Sequence, residues 1–330
     1  MQYCMPCKEN KKGKYKMFKL RPGKRIKRIM LANKSKKLNA MYEDSESKAL
    51  RPKIIDMTKG VDLIVNNRMS MARLGDGEFE ICLGRNIDFQ EQSDDLSKRL
   101  LDVLKLKREG LLIGIHDIYA NLDKYVKTEG LNDSIGRDFW RFYLTSDDRR
   151  ERLYSLFDMD MEYVDAYITR PYMDFEDKGF AVSHFKNMKR IWNERDIVFV
   201  EGEFSRLGVG NDLFDNAKSI KRILCPAKHA YSKYDEIIDF CKKQDKESLF
   251  IIALGPAATL LACDLHELGF QALDIGHIDI EYGWMKKNSK IKVAIENKYT
   301  SEAKDGGRDI DRVSSFKDAD YESQIVVKIK

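Results

Sequence analysis

From Ser248 to Leu254 the chain runs Ser-Leu-Phe-Ile-Ile-Ala-Leu; Gly255-Pro256 follows, then Ala257 to Leu268, Gly269, Gln271 to Ile275 and Gly276. The first stretch is apolar over a strand's length without alternation, the pattern of a strand buried on both faces. Pro at a first helical position and Gly just past the last bound the helix Ala257 to Leu268. A second short apolar run then follows at once. Further strands are expected at Leu111 to Ile115, Asp196 to Glu201 and Ile220 to Leu224, and a possible one at Tyr163 to Thr169. Helices are expected at Asp94 to Lys107, with Ser93 or Asp94 as cap, at Ser183 to Asn193 and at Tyr231 to Lys242. Ile55, Met57, Val61, Leu63 and Ile64 suggest one more helix, feeding a short strand that ends at Arg73. Residues 119–160 read as helical, with Phe139, Trp140, Phe142 and Tyr143 packing as core. Strands alternating with helices argue for an α/β fold, a Rossmann-like and mostly parallel sheet flanked by helices.

Composition narrows the class. At 43% hydrophobic and 34% charged residues, the chain is of the soluble globular kind, and its apolar runs break well before the roughly 20 residues that span a bilayer. No secretory signal pattern opens the chain, so a cytoplasmic location is expected. The six cysteines are not a disulfide framework. Cys4 and Cys7 form a C-x-x-C pair, but no second pair completes a zinc site. The net charge of +5 is unevenly spread: the first 40 residues carry +13, leaving −8 for the remainder. Residues 1–45 therefore read as a flexible basic arm, 46–290 as the catalytic domain and 291–330 as a polar C-terminal extension. The arm, densest from Lys8 to Lys37, suits an anionic membrane surface at about 1 kcal/mol per basic residue; a solvated tail is the equal alternative. No nucleic-acid partner is expected.

Two stretches carry chemistry. Arg73-Leu-Gly75-Asp76-Gly77-Glu78 sets two carboxylates one glycine apart. Such a loop suits a hard divalent cation shared with substrate phosphates, Gly75 letting the ligand approach and Arg73 meeting phosphate charge. The plainer reading is a turn entering the acid-rich first turn of a helix. Gly202-Glu-Phe-Ser-Arg206-Leu-Gly208-Val-Gly210-Asn211-Asp212 follows a strand and is expected to open a helix at Asn211 and Asp212. Arg206, Gly208, Gly210 and Asn211 are then candidates to cradle a phosphate, or the glycines merely make the turn.

Together with Leu254-Gly255-Pro256 and Asp274-Ile-Gly276-His277-Ile-Asp279-Ile-Glu281-Tyr282, these motifs resemble the GT-D type glycosyltransferases, with a likeness from about Ile54 to Trp284. The resemblance implies a Rossmann-like fold, a nucleotide-sugar donor that is usually a UDP-sugar, and Mn²⁺ or Mg²⁺ served by an Asp-x-Glu motif. Asp76 and Glu78 would be that motif, and Gly255 would join the donor side. The implied acceptor is a glycan, a lipid-linked sugar or a glycoprotein in surface polysaccharide or glycoprotein assembly.

An acceptor hydroxyl also needs a base within hydrogen-bond reach. The segment after Gln271 to Ile275 lies where parallel-sheet sites are built, making Asp279 or Glu281 candidates with His277 in reserve. If the segment opens a helix, His277 and Glu281 share a face, which favours Glu281; His116 and Asp117 after Leu111 to Ile115 are next in line. Two other classes compete: a Rossmann methyltransferase using Val198-Phe-Val-Glu-Gly202 as nucleoside-binding strand and loop, and a non-catalytic scaffold docked on membrane by the basic arm.

Overall fold

Among the described residues nine parallel strands form one sheet: β1 (Lys53–Ile55), β2 (Ser70–Leu74), β3 (Leu111–Ile115), β4 (Glu162–Asp165), β5 (Asp196–Gly202), β6 (Ser219–Cys225), β7 (Leu249–Ala253), β8 (Gln271–Asp274) and β9 (Ile325–Lys328). Their order across the sheet is β1-β4-β3-β2-β8-β7-β5-β6-β9. This is a computed structural model, and it describes residues 36, 37, 40–42, 51–119, 122–126, 136–145, 149–303 and 316–330. The basic arm lies outside these residues apart from Lys36, Lys37 and 40–42, as do Cys4 and Cys7. Cys82, Cys225, Cys241 and Cys263 are free thiols. Among the described residues no helix is long and apolar enough to cross a membrane.

The apolar runs become central strands because both faces are covered. Residues Leu249 to Ile252 are fully buried, and helix Pro256–Glu267 packs over β2 and β8. Thr259 on that helix donates to the Arg73 carbonyl at 2.8 Å, fixing the helix against the end of β2. Adjacent strands part in opposite directions at two places: β5 leads outward to β6 while β7 returns to β8, and β2 leads to β3 while β8 leads on toward β9. Crevices at such reversals, outside the carboxyl ends, are where open parallel sheets bind ligands.

Several elements differ from the sequence expectation. Tyr163 to Thr169 splits into β4 and a 3-10 turn, Ala166–Thr169, because the Asp165 carboxylate takes the Tyr167 amide. The helix expected at Ser183 to Asn193 is Lys178–Met188, started earlier by Asp177, which accepts from Gly179 and Phe180. Phe142 is 42% exposed rather than core, whereas Trp140 and Tyr143 are buried. No helix opens at Asn211: Gly208 and Gly210 hold φ of +77° and +73°, and the Asn211 side chain takes the Leu213 amide at 3.0 Å in a local turn.

The division at residue 290 also fails. Strand β9 pairs with β6 beyond it, and Gln324 accepts from Arg222 through both its carbonyl and its side chain, at 2.8 and 2.7 Å. Arg222 in turn meets the buried Glu201 at 2.5 Å, so the tail is built into the sheet.

Candidate active site

A cavity of about 780 Å³ opens at the carboxyl edge of the sheet, and its wall includes residues at or just past the ends of strands β2 to β8. Its volume is that of a site for a ligand of drug or cofactor size.

At the end of β2, helix Asp76–Cys82 begins. Glu78, its third residue, reaches back to accept from the Gly75 amide at 2.8 Å, one half of a capping box. Asp76, its first, opens onto the cavity. Among the described residues no hydrogen bond or ion pair from another side chain reaches the Asp76 carboxylate. Surrounding protein raises its pKa, against the pull of Arg170 and with help from Glu302. Burial likewise pushes Glu78 up to about 7, and the Asp274 charge adds to it. Among the described residues no group of three or more His, Cys, Asp and Glu side chains is arranged to hold a metal. The available donors are thus a free carboxylate at Asp76 and a half-engaged one at Glu78, which fit a cation that takes its other ligands from substrate and water.

Arg73 lines the cavity, but its guanidinium is occupied. Nε and Nη2 donate to the carbonyl and carboxylate of Asp274, both at 2.8 Å, and Nη1 to the Ala166 carbonyl at 3.3 Å. It braces three strand ends instead of standing ready for phosphate. The cations that do face Asp76 are Arg170, just after the Ala166–Thr169 turn, and Lys292. Both grip Glu302, Arg170 at 2.8 Å. Burial raises the Glu302 carboxyl, yet Arg170 and Lys292 outweigh it and hold the group well below its ordinary range. His277 stands 3.8 Å from Glu302. Burial, opposed by Glu302 and aided by Arg170, Lys292 and Arg73, brings it down to about 4, so it is neutral near pH 7.

The other predicted residues divide between the cavity wall and the structure behind it. Gly208 and Asn211 turn to Asp279, their N–H groups donating to its Oδ1 at 3.0 and 2.8 Å, while Lys298 holds Oδ2. Asp279 borders the cavity, but with both oxygens engaged it is a structural anchor and not a ready base. Glu281 does not line the cavity: it is wholly buried, its Oε2 accepts from the Tyr172 and Met173 amides at 3.2 and 2.9 Å, and Arg170 lies 3.5 Å from Oε1. Helix Ile278–Lys286 does put His277 and Glu281 a turn apart, but only His277 reaches the cavity. Arg206 is also turned away, donating to the Asn297 carbonyl and lying over the Phe316 ring. A Cβ built on Gly210 would meet nothing within 4 Å among the described residues, and Gly210 does not line the cavity, whereas Gly255 does border it: a Cβ there would lie 2.7 Å from the Phe89 ring. His116 lines the wall and Asp117 does not.

Arg170, Asp174, Lys292 and Glu302 escaped the sequence reading. Arg170 follows a strand-like run, a usable signal; the other three sit in stretches without periodicity.

A family model described as the glycosyltransferase GT-D fold matches residues 71–303. The chain is 35% identical over 281 residues to a probable glycosyl transferase Gly of Streptococcus gordonii, and 36% identical over 301 residues to glycosyltransferase GlyD of Streptococcus pneumoniae serotype 4. These matches cover 84% and 91% of this chain but 39% and 35% of those proteins, so the chain spans little more than a third of the curated relatives it matches. A solved structure of the domain of unknown function 1792, reported to have a distinct glycosyltransferase fold, superposes with a TM-score of 0.79 at 34% identity, covering 89% of this chain and all of that one. A glycosyltransferase of the same domain type from Streptococcus sanguinis gives 0.76 at 32% identity, over 85% of this chain and all of that one.

Proposed function

The chain belongs to the GT-D glycosyltransferase family, and we propose that it moves a sugar from a nucleotide-sugar donor, a UDP-sugar, to an acceptor hydroxyl with the help of Mn²⁺ or Mg²⁺. The observation that carries this reading is the unengaged Asp76 carboxylate facing Arg170 and Lys292 across one cavity. In glycosyl transfer the leaving group is a nucleoside diphosphate, and the site must stabilise charge as it develops on the phosphate oxygens. A bound divalent cation supplies part of that stabilisation as a Lewis acid. Asp76 would hold it, with the free oxygen of Glu78 beside it. Arg170 and Lys292 offer direct donors to the same phosphates, at the cost of loosening their grip on Glu302. Neutral His277 can accept or donate one hydrogen bond without adding charge. The acceptor belongs to the same proposal: a sugar-bearing chain of surface polysaccharide or glycoprotein, lipid-linked or free.

Calorimetry with UDP, in the presence and absence of Mn²⁺ or Mg²⁺, tests the reading. Wild-type protein should bind UDP in a cation-dependent way, and Asp76→Ala should lose at least about tenfold of that affinity, the effect of one charged contact. The fold should survive, because among the described residues no side chain bonds to the Asp76 carboxylate. Metal-dependent turnover in Asp76→Ala near the wild-type rate would sink the proposal. S-adenosylmethionine binding in place of UDP would point to methyl transfer instead.

A further inference from the structure

One corner of the cavity is not used by the chemistry above. Asp174 is only 6% exposed. Its Oδ2 accepts from the Tyr167 hydroxyl at 2.6 Å, and that hydroxyl accepts from Trp140 Nε1 at 2.7 Å. This relay fixes the carboxylate and leaves Oδ1, which has no hydrogen-bond partner among the described residues. His116, also 6% exposed, packs its ring 4.9 Å from Trp140 and 4.6 Å from Tyr167. Its Nδ1 has no partner either. A buried polar atom left unpaired costs about 1–3 kcal/mol, and two in one corner of a cavity are groups that a ligand would satisfy. Phe139 stands partly exposed in the same wall, 4.8 Å from Trp140. Arg170 feels the charges of both Glu302 and Asp174, so this corner adjoins the end where the diphosphate is proposed to lie.

We propose that the corner formed by Phe139, Trp140, His116 and Asp174 is a subsite for a pyranose ring of the acceptor, and that Asp174 Oδ1 takes the proton of the attacking hydroxyl. The inference rests on the transferase reading and deepens it. A sugar ring combines an apolar face with several hydroxyls, which matches an aromatic wall beside two separate polar atoms. A serine or threonine side chain offers one hydroxyl and no ring face to lie on the aromatic wall. In the transfer, the acceptor oxygen bonds to the anomeric carbon. The bond from that carbon to the diphosphate oxygen breaks and takes its electron pair, and the hydroxyl proton passes to Asp174. Tyr167 and Trp140 are positioning residues, acting through Asp174.

The test measures UDP binding by calorimetry and transfer from UDP-sugars to a panel of aryl glycosides and to a serine-containing peptide. Asp174→Asn should keep UDP affinity within about twofold while kcat toward a glycoside falls at least about 100-fold, the usual contribution of a general base. Phe139→Ala, a change at the cavity wall that leaves the core intact, should raise the glycoside KM about tenfold or more with little change in kcat. An Asp174→Asn enzyme above half the wild-type kcat, an unchanged KM in Phe139→Ala, or transfer to the peptide and to no glycoside would overturn the subsite while leaving the transferase standing. Absence of UDP binding and of any transfer by the wild type would overturn the transferase reading, and the subsite with it.

Discussion

Replacing Gly276 by alanine tests whether Arg73 is a brace. Gly276 sits at φ +46°, and a Cβ built there would lie 2.2 Å from Arg73 Nη2. The guanidinium could swing aside if it were free, but its bonds to Asp274 and Ala166 hold it, and the side chains of Arg73 and Asp274 are only 10% and 6% exposed. Retreat therefore means breaking a buried ion pair, which costs about 3–5 kcal/mol, with about 1–2 kcal/mol more for a left-handed backbone carrying a side chain. Gly84→Ala separates these contributions. Gly84 has φ +81° and nothing within 4 Å of its would-be Cβ, so it should lose the backbone part alone. Urea unfolding of both variants, followed by tryptophan fluorescence, should place Gly276→Ala lower in stability than Gly84→Ala by about 3–5 kcal/mol at equal m-value. If the two differ by less than about 1 kcal/mol, Arg73 yields without loss and the bracing argument is wrong.

Arg206→Ala should leave UDP affinity unchanged and lower stability by about 1–3 kcal/mol through the lost bond to Asn297 and stacking on Phe316; a tenfold weaker UDP titration would return Arg206 to the donor pocket. His277 gives a pH dependence with a definite sign. Its folded pKa of about 4 lies below the ordinary 6.5, so the unfolded chain binds the extra proton between those values. The corresponding stability is complete above pH 6.5 and is lost as pH falls toward 4, by up to about 3 kcal/mol. In His277→Gln, thermal unfolding across pH 4 to 7 should show a shallower fall, and an identical slope would show that the imidazole does not titrate this way.

What the sequence disclosed was what local pattern controls. Leu111 to Ile115 and the run ending at Ala253 are legible because apolar runs of strand length, one opened by Gly110 and the other closed by Gly255, have little choice in a parallel sheet. The Asp76-Gly77-Glu78 stretch carried two readings; the helix-entry one describes Glu78, which caps the helix, while Asp76 faces the cavity. The glycine-rich loop shows the limit. Spacing reveals that Gly208 and Gly210 turn the chain, but not that the Gly208 and Asn211 N–H groups point to Asp279, 71 and 68 residues away. Direction belongs to tertiary structure, and no local signal encodes it.

The same reasoning explains why the C-terminal stretch looked like an extension. Lys292, Lys298 and Glu302 act through scattered pairings: Lys298 reaches Asp279 and Glu302 reaches Arg170 on other elements, while Lys292 meets Glu302 ten residues on. Isolated polar residues in a segment without helix or strand leave no periodic trace. Yet removing them would expose two costs at once. Asp279 would lose the cation that balances its buried charge while still holding the loop after β5. Arg170 would lose Glu302, the anion that orients it toward the cavity. An uncompensated buried charge costs about 3–5 kcal/mol, so the tail stabilises the wall of the site as much as it contributes groups to it. Loop and tail are therefore one structural unit, joined through Asp279 and through the Glu201–Arg222–Gln324 chain that ends beside β9.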